Sequence, residues 1–332
     1  MPNSFLGSVV QQLVAQNIDW ANVCFVLPNR RARLFLQREL TQTLQGPLIL
    51  PEAASIDDLI ASMSTMLPAT ELQQQQALYK SYCTTIGLKK ADSFETFLGW
   101  SSPLMKDINT MDQYLLERES FFTYLSSLHN IRSWGENQDK IIQNYTAFWE
   151  LLPQMYQDFV SILEETGHAP PGLCYRLATA HLESYLQHKK STHFIFCGFN
   201  ALSPSEELIV QELLAQQRGQ VFWDIDQKML ENEYHQAGVF IRGYVNNWSY
   251  YANGSFDQAH QIFNAAKKVN VIEVQQQVGQ AKQLGALLAE LPTSQDWSKT
   301  AVVLADESLL LPLLYALPDS IDQRNITMGY PL

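Results

Sequence analysis

The chain has 332 residues, of which 46% are hydrophobic and 17% charged, so it can bury a sizeable core and is not disordered as a whole. Its net charge of -12 excludes a surface that is basic throughout, and any contact with nucleic acid must use a local basic patch. No run is apolar enough to span a bilayer, and no Lys or Arg precedes residue 30 to start a secretory signal. The four cysteines form no CxxC pair, and Cys24 and Cys197 lie in apolar runs, which favours a reducing cytoplasm.

The N-terminal region, residues 1–50, has an α/β pattern. Its predicted elements are a helix near 4–16, a buried strand at 22–27 and a helix at 29–43. A short apolar run, Leu48–Leu50, follows.

Residues 55–190 are predicted to be almost entirely helical. Ser55 is the expected N-cap of the first helix, with Asp57 and Asp58 in its first turn, where carboxylates suit the helix dipole. The prolines of TGHAPPGL are expected to stop the last long helix of this region.

From residue 191 the pattern returns to strands separated by helices, which predicts right-handed crossovers and a parallel sheet. The predicted strands are HFIFCGF, QVFWDI, VNVIEV, TAVVLAD and RNITM, and the predicted helices span 204–216, 277–290 and 306–316. We therefore expect an α/β domain made of residues 1–54 and 191–265, interrupted by a helical insertion at 55–190. A second α/β segment is expected at 268–332.

The turn between the first predicted strand and the next helix lies where a nucleotide-binding protein carries its phosphate loop. That loop needs G-x-x-x-x-G-K-[ST], and none of the 15 glycines is followed by Lys, so neither binding nor hydrolysis of ATP is expected. Instead Pro28 and Asn29 are predicted to form the turn, with Asn29 as N-cap. Arg30, Arg31 and Arg33 then fall in the first helical turn, where each exposed cation opposes the dipole by about 0.3–1 kcal/mol.

An anion near these arginines would remove that cost, and the sequence leaves two anions open. One is the phosphate backbone of a nucleic acid, and the other is an acidic residue of the insertion.

Two other patterns imitate metal sites. In AVVLADES, Asp306 and Glu307 follow an apolar run as in magnesium-binding strands, but without a phosphate loop Asp306 is better explained as a helix cap. Asp226-Gln227-Lys228 forms a (D/E)-x-K triplet, as in a large nuclease family. It lacks the upstream Asp that the chemistry needs, so the triplet is predicted to be a strand end and a polar loop.

The remaining candidates predict no cofactor or metal site. The seven histidines show no metal-ligand spacing. Trp100, Trp134 and Trp149 could stack on bases, but their helical spacing favours places in a core.

Several stretches together resemble the N-terminal part of AddB-like proteins, which are inactivated superfamily-one helicases fused to a PD-(D/E)XK nuclease. They include VCFVLPNRRARLFLQREL, SFETFLGWSSPLMKDINTMDQYL, FIFCGFNALSPSEELIVQELL and TAVVLADESLLLPLLYALPDSIDQRNITMGYPL. The resemblance implies a first RecA-like domain up to about residue 265 with a helical insertion, and the beginning of a second RecA-like domain from about 268. It also places LPNRRA where active relatives touch single-stranded DNA.

The resemblance implies a role in double-strand break repair beside a partner helicase subunit. This sequence lacks the phosphate loop that some AddB proteins keep, and the iron–sulfur cysteines of the family have no match in it. We therefore expect a non-catalytic, helicase-like portion that binds single-stranded DNA through Asn29, Arg30, Arg31 and Arg33, within a longer chain whose exonuclease chemistry lies elsewhere. The alternatives are a protein-interaction scaffold without DNA contact and a degenerate ATPase.

Overall fold

A computed structural model of the chain describes residues 4–44, 49–124, 140–252, 256, 258–292, 296–297 and 300–327, with the backbone alone for 140–150. The chain divides into two compact units, Met1–Asn264 and Ala265–Leu332.

The first unit contains both strands and helices. Its strands are β1 (Val23–Leu27), β2 (Glu52–Ser55), β3 (Leu67–Pro68), β4 (His168–Ala169), β5 (His193–Cys197) and β6 (Gly219–Phe222). Its helices are α1 (Phe5–Ala15), α2 (Ala32–Thr43), α3 (Ile56–Ser64), α4 (Glu71–Ile86), α5 (Phe94–Gln113), α6 (Lys140–Glu164), α7 (Pro171–His188), α8 (Pro204–Ala215), α9 (Gln227–Glu231) and α10 (Val239–Asn247). Residues 118–124 are also helical.

Four strands form a parallel sheet in the order β2-β1-β5-β6, which confirms the predicted α/β class with a parallel sheet. In β1, Phe25 lies opposite Ala53 of β2 and Ile195 of β5. All five residues of β1 are buried, as expected of a central strand that is covered on both faces.

One face of the sheet packs against α1 and α2. Phe25 and Ile195 point to this face, where Leu13 of α1 and Leu36 and Leu40 of α2 complete the core. Because side chains alternate along a strand, the neighbours of Phe25 point to the opposite face.

The opposite face carries a larger core, in which Val26 and Phe196 meet Ile60 of α3, Leu182 of α7 and Trp223. Helices α3 and α7 therefore cover the sheet, although both lie within the stretch 55–190 that the sequence pattern assigned to the insertion. The sheet is sandwiched between two helical layers.

The rest of the stretch 55–190 builds a separate helical core. Leu78 of α4, Phe97 of α5 and Phe159 of α6 are completely buried in it. The short strands β3 and β4 pair in parallel between the two cores.

The N-cap predicted at Ser55 is present in the structure. The Ser55 hydroxyl accepts from the backbone N–H of Asp58, and the Asp58 carboxylate accepts from Ser55, so the two form a capping box. The last long insertion helix ends at Glu164, and Pro171 starts α7, where its missing N–H costs no helical hydrogen bond.

The second unit differs from the prediction. Its helices are α11 (Gln277–Ala289) and α12 (Leu310–Ala316), which pack so closely that a Cβ on Gly285 would lie 2.0 Å from the Ala316 carbonyl oxygen. The stretches predicted as strands, 269–274, 300–306 and 324–328, form no strand within their described residues, and Met328 lies outside those residues.

The exposure of these stretches explains the wrong strand prediction. Val271 is 93% and Val303 88% exposed, so among the described residues neither run has the neighbouring strand and covering layer that a parallel strand needs. Their β-branched residues favour the strand conformation, but a strand also needs hydrogen bonds to a neighbouring strand.

Candidate nucleic-acid interface

The turn after β1 lies at the carboxyl edge of the sheet. The Asn29 side chain accepts a hydrogen bond from the backbone N–H of Ala32 at 3.0 Å, but the N-cap residue of α2 is Arg31, so Asn29 bonds to the start of the helix without being its predicted N-cap. Helix α2 begins at Ala32 rather than at residue 29, so Arg30 and Arg31 occupy the turn and Arg33 lies in the first helical turn. The N–H of Leu34 bonds to the carbonyl of Arg31, three residues back, which is the spacing of a tighter turn rather than of an α-helix.

Arg30 is held by an acidic residue of the neighbouring helix. Its Nη2 lies 2.6 Å from Oδ1 of Asp58, and its Nε lies 3.3 Å from Oδ2. The hydrogen bond with Asp58 raises the pKa of Arg30, and the pKa of Asp58 is lowered first by Arg30 and then by Ser55. The Arg30 side chain nevertheless remains 82% exposed.

The other two arginines, Arg31 and Arg33, are both exposed to solvent. Within the part of the chain that the structure describes, Arg33 makes no ion pair with a carboxylate. The internal partner considered as an alternative therefore exists for Arg30, and for Arg33 none is seen among those residues.

The order of the strands reverses at this edge. After β1 the chain forms β2 on one side of it, and after β5 it forms β6 on the opposite side. The order in which strands are added therefore reverses between β1 and β5. In open parallel sheets, ligands bind at the carboxyl ends of the strands at such a reversal. The turn after β5 begins at Gly198, whose φ of +75° favours glycine.

Acidic side chains behind this edge were not predicted as part of the site. Asp57 accepts a hydrogen bond from the Tyr175 hydroxyl at 2.6 Å. Glu206 is buried at the start of α8, where it completes a capping box with Ser203. Burial raises the pKa of Glu206, and the negative charge of Asp57 adds to the increase. The S-x-x-E spacing could have identified the capping box, but no local signal pairs Asp57 with Tyr175.

The (D/E)-x-K triplet begins a short helix and is not the strand end and polar loop that the sequence predicted, because β6 ends at Phe222 and Asp226 is the N-cap of α9. Asp226 Oδ1 accepts from the N–H of Lys228 at 3.0 Å, and Oδ2 accepts from the N–H groups of Ile262 and Phe263 at 2.8 and 2.7 Å. The Lys228 ammonium lies 4.8 Å from the centre of the Phe263 ring. Over the described residues, no group of three or more His, Cys, Asp or Glu side chains is placed to hold a metal ion.

The predicted cap at Asp306 is also confirmed. Its Oδ1 accepts from the N–H of Ser308 at 2.9 Å, and its Oδ2 accepts from the Gln277 side chain at 2.9 Å. The bonds with Ser308 lower the pKa of Asp306. The residues after it form a 3-10 turn that leads into α12.

The aromatic and thiol predictions agree with the structure where it describes them. Trp100 packs against Phe97 and Tyr82 in the insertion core, while Trp134 and the side chain of Trp149 lie outside the described residues. All four cysteines are buried, and burial raises the pKa of Cys24 to about 12, so its thiol stays protonated.

The fold and this edge define an α/β protein with a four-stranded parallel sheet, two helical layers and a basic turn at the carboxyl edge. No protein-family model matches the chain, and no curated protein matches it. No helix in the described ranges is long and apolar enough to cross a membrane.

Proposed function

We propose that the chain is the non-catalytic, helicase-like DNA-binding region of a cytoplasmic AddB-like helicase–nuclease of double-strand break repair. In this proposal the first unit is a RecA-like domain that binds the phosphates of single-stranded DNA beside a partner helicase subunit. The observation that carries it is the exposed arginine turn at the carboxyl edge of the sheet.

The arginine turn is an exception in an acidic chain. Four of the ten arginines fall within residues 30–38, and no Asp or Glu occurs among those residues. Charges separated by more than about 8 Å are largely screened at physiological ionic strength, so the local excess matters more to a bound strand than the net charge of -12. Arginine also matches phosphate geometry through paired N–H donors.

The ion pair of Arg30 is compatible with this function. Asp58 occupies one edge of the guanidinium, and the remaining donors belong to a side chain that is 82% exposed. Asp58 thereby fixes the direction of Arg30, and a phosphate could still approach its outer edge.

The same ion pair favours a second candidate, a protein-interaction scaffold in which the arginines stabilise the fold. The two functions differ in what Arg31 and Arg33 do. DNA binding requires both to meet phosphates, whereas the scaffold needs neither to contact nucleic acid.

Charge reversal separates the two candidates. We expect R31E/R33E to weaken binding of a labelled oligo-dT strand, measured by fluorescence anisotropy over a salt series. The slope of log K against log salt should become shallower by up to about 0.7 for each lost phosphate contact. The matched control is K89E/K90E, which makes the same charge change at two other exposed cations of the first unit. An equal slope in wild type and R31E/R33E would favour the scaffold.

A further inference from the structure

We infer that the outward face of α2 is a base-stacking surface on which Phe35 holds an unpaired base, so that the site selects single strands over duplex DNA. The inference rests on the proposed DNA-binding function, and it adds the bases to the phosphates as groups that the protein contacts.

The position of Phe35 on α2 is the first observation. Leu36 and Leu40 point into the core of the sheet and are 0% and 1% exposed. Their neighbours Leu34 and Phe35 are 67% and 60% exposed, although both are large and apolar. With 3.6 residues per turn, these two side chains lie on the face of the helix that is turned away from the sheet.

Arginines flank this apolar pair along the same face. Phe35 is four residues after Arg31 and three before Arg38, and both arginines are exposed. Side chains three or four residues apart on a helix are neighbours, with Cβ atoms about 5–6 Å apart. The backbone at Arg31 already has helical angles, with φ -68° and ψ -38°, so this spacing holds at the start of the helix.

Two acidic groups beside this face make contacts with residues outside it. Glu39, the acidic residue of α2, turns toward α1, where its Oε1 accepts from the Ser4 hydroxyl at 2.7 Å. Asp58 pairs with Arg30 in the turn before the helix. An exposed aromatic ring between two cations is thus left on a chain whose net charge is -12.

A single nucleic-acid strand has the complementary chemistry. Its bases offer apolar π-faces to Phe35, and its phosphates offer anions to the arginines on either side. In a duplex the bases are stacked on one another and their faces are closed to a side chain. A membrane fits less well, because an interfacial helix needs a broad apolar face and that of α2 is already buried against the sheet.

The test compares three probes of equal length: a single oligo-dT strand, a strand of abasic units with the same phosphates, and a duplex. We expect the wild-type chain to bind oligo-dT at least about 5-fold more tightly than the abasic strand, the ratio expected for one stacked base. F35A should remove that difference without changing affinity for the abasic strand or its salt dependence. F35W should keep the difference, since Trp also stacks.

F240L and F240A are the matched controls. Phe240 is an exposed phenylalanine on α10, and the nearby Arg242 is committed to the backbone carbonyls of Met229, Glu233 and His235. Neither control should change the ratio of oligo-dT to abasic binding.

The outcomes distinguish this inference from the function on which it rests. If the wild-type chain binds oligo-dT and abasic strands equally, with a salt dependence that R31E/R33E reduces, phosphate binding stands and base stacking is refuted. A ratio that survives in F35A refutes the role of Phe35. If no probe is bound, both proposals fail, and the outward face of α2 serves a protein partner instead.

Discussion

Two arginine–aspartate groups among the described residues of the first unit differ strongly in burial. In the helical insertion, Asp112 is completely buried between Arg118 and Arg176. At the carboxyl edge of the sheet, Asp58 meets Arg30 with 39% of its own side chain and 82% of the Arg30 side chain exposed.

Both carboxylate oxygens of the buried Asp112 accept hydrogen bonds. Asp112 Oδ1 accepts from Arg118 Nη2 at 3.0 Å and from Arg176 Nε at 2.8 Å, while Oδ2 accepts from the Tyr156 hydroxyl at 2.6 Å. Arg176 also donates to the Leu116 carbonyl at 2.6 Å. Burial raises the pKa of Tyr156, and the charge of Asp112 raises it further.

Asp112 joins several helices through hydrogen bonds, whereas Asp58 holds one edge of an exposed arginine. Asp112 of α5 accepts hydrogen bonds from Tyr156 of α6 and Arg176 of α7. These bonds link the helical insertion to a helix that covers the sheet. Around Asp58 one edge of the guanidinium is used and the rest meets solvent. Solvent access, rather than the presence of an ion pair, is what differs between Arg30 and Arg176.

The largest effect should follow from breaking the buried group. We expect D112N to lower the free energy of unfolding by about 3–5 kcal/mol, because it removes the buried charge that Arg118 and Arg176 share, and their side chains are only 37% and 24% exposed. Urea denaturation followed by circular dichroism measures this change. The control is D107N, an exposed aspartate on the same helix, which should change stability by less than about 0.5 kcal/mol. Equal midpoints for the two variants would show that the buried ion group contributes nothing.

An intermediate effect should follow from Y156F. This variant removes the hydroxyl that donates to Asp112 at 2.6 Å and keeps the ring against which Arg118 packs at 4.8 Å. A hydrogen bond to a charged group contributes about 1.5–3 kcal/mol, so the loss of stability should be smaller than in D112N. Y234F, at a tyrosine that is 83% exposed, is the matched control. A Y156F loss as large as that of D112N would show that the hydroxyl, rather than the charge balance, dominates.

Local patterns predicted the elements whose stability is local. The buried strand β1 and the N-cap at Ser55 depend on residues within a few positions of one another, and both are confirmed. The arginines at the start of α2 were also identified from residues close together in sequence.

Contacts between distant parts of the chain could not be predicted. The partner of Arg30 is 28 residues away and that of Arg176 is 64 away, and no periodic pattern relates such positions. The strands expected in the second unit failed for a related reason. Runs such as VNVIEV have the composition of strands, but a strand also needs a neighbour, and composition does not report whether one is present. The exposure of Phe35 likewise depends on which face of α2 meets the sheet.

The smallest effect should come from the exposed pair. In R30Q, the pKa of Asp58 should rise toward its ordinary value, because the hydrogen bond with Arg30 is the largest cause of its decrease. Part of the decrease should remain, since Ser55 still donates to the carboxylate. A lowered pKa stabilises the fold above the unfolded-state value of about 3.9, and this contribution is lost as pH falls through the folded-state pKa. The wild-type advantage over R30Q should therefore be small at neutral pH and should disappear in acid. An NMR titration of the Asp58 carboxyl carbon measures the pKa, with R33Q as the control that should leave it unchanged. If R30Q and R33Q give the same Asp58 pKa, the ion pair does not persist in solution, and the direction of Arg30 is not fixed by Asp58.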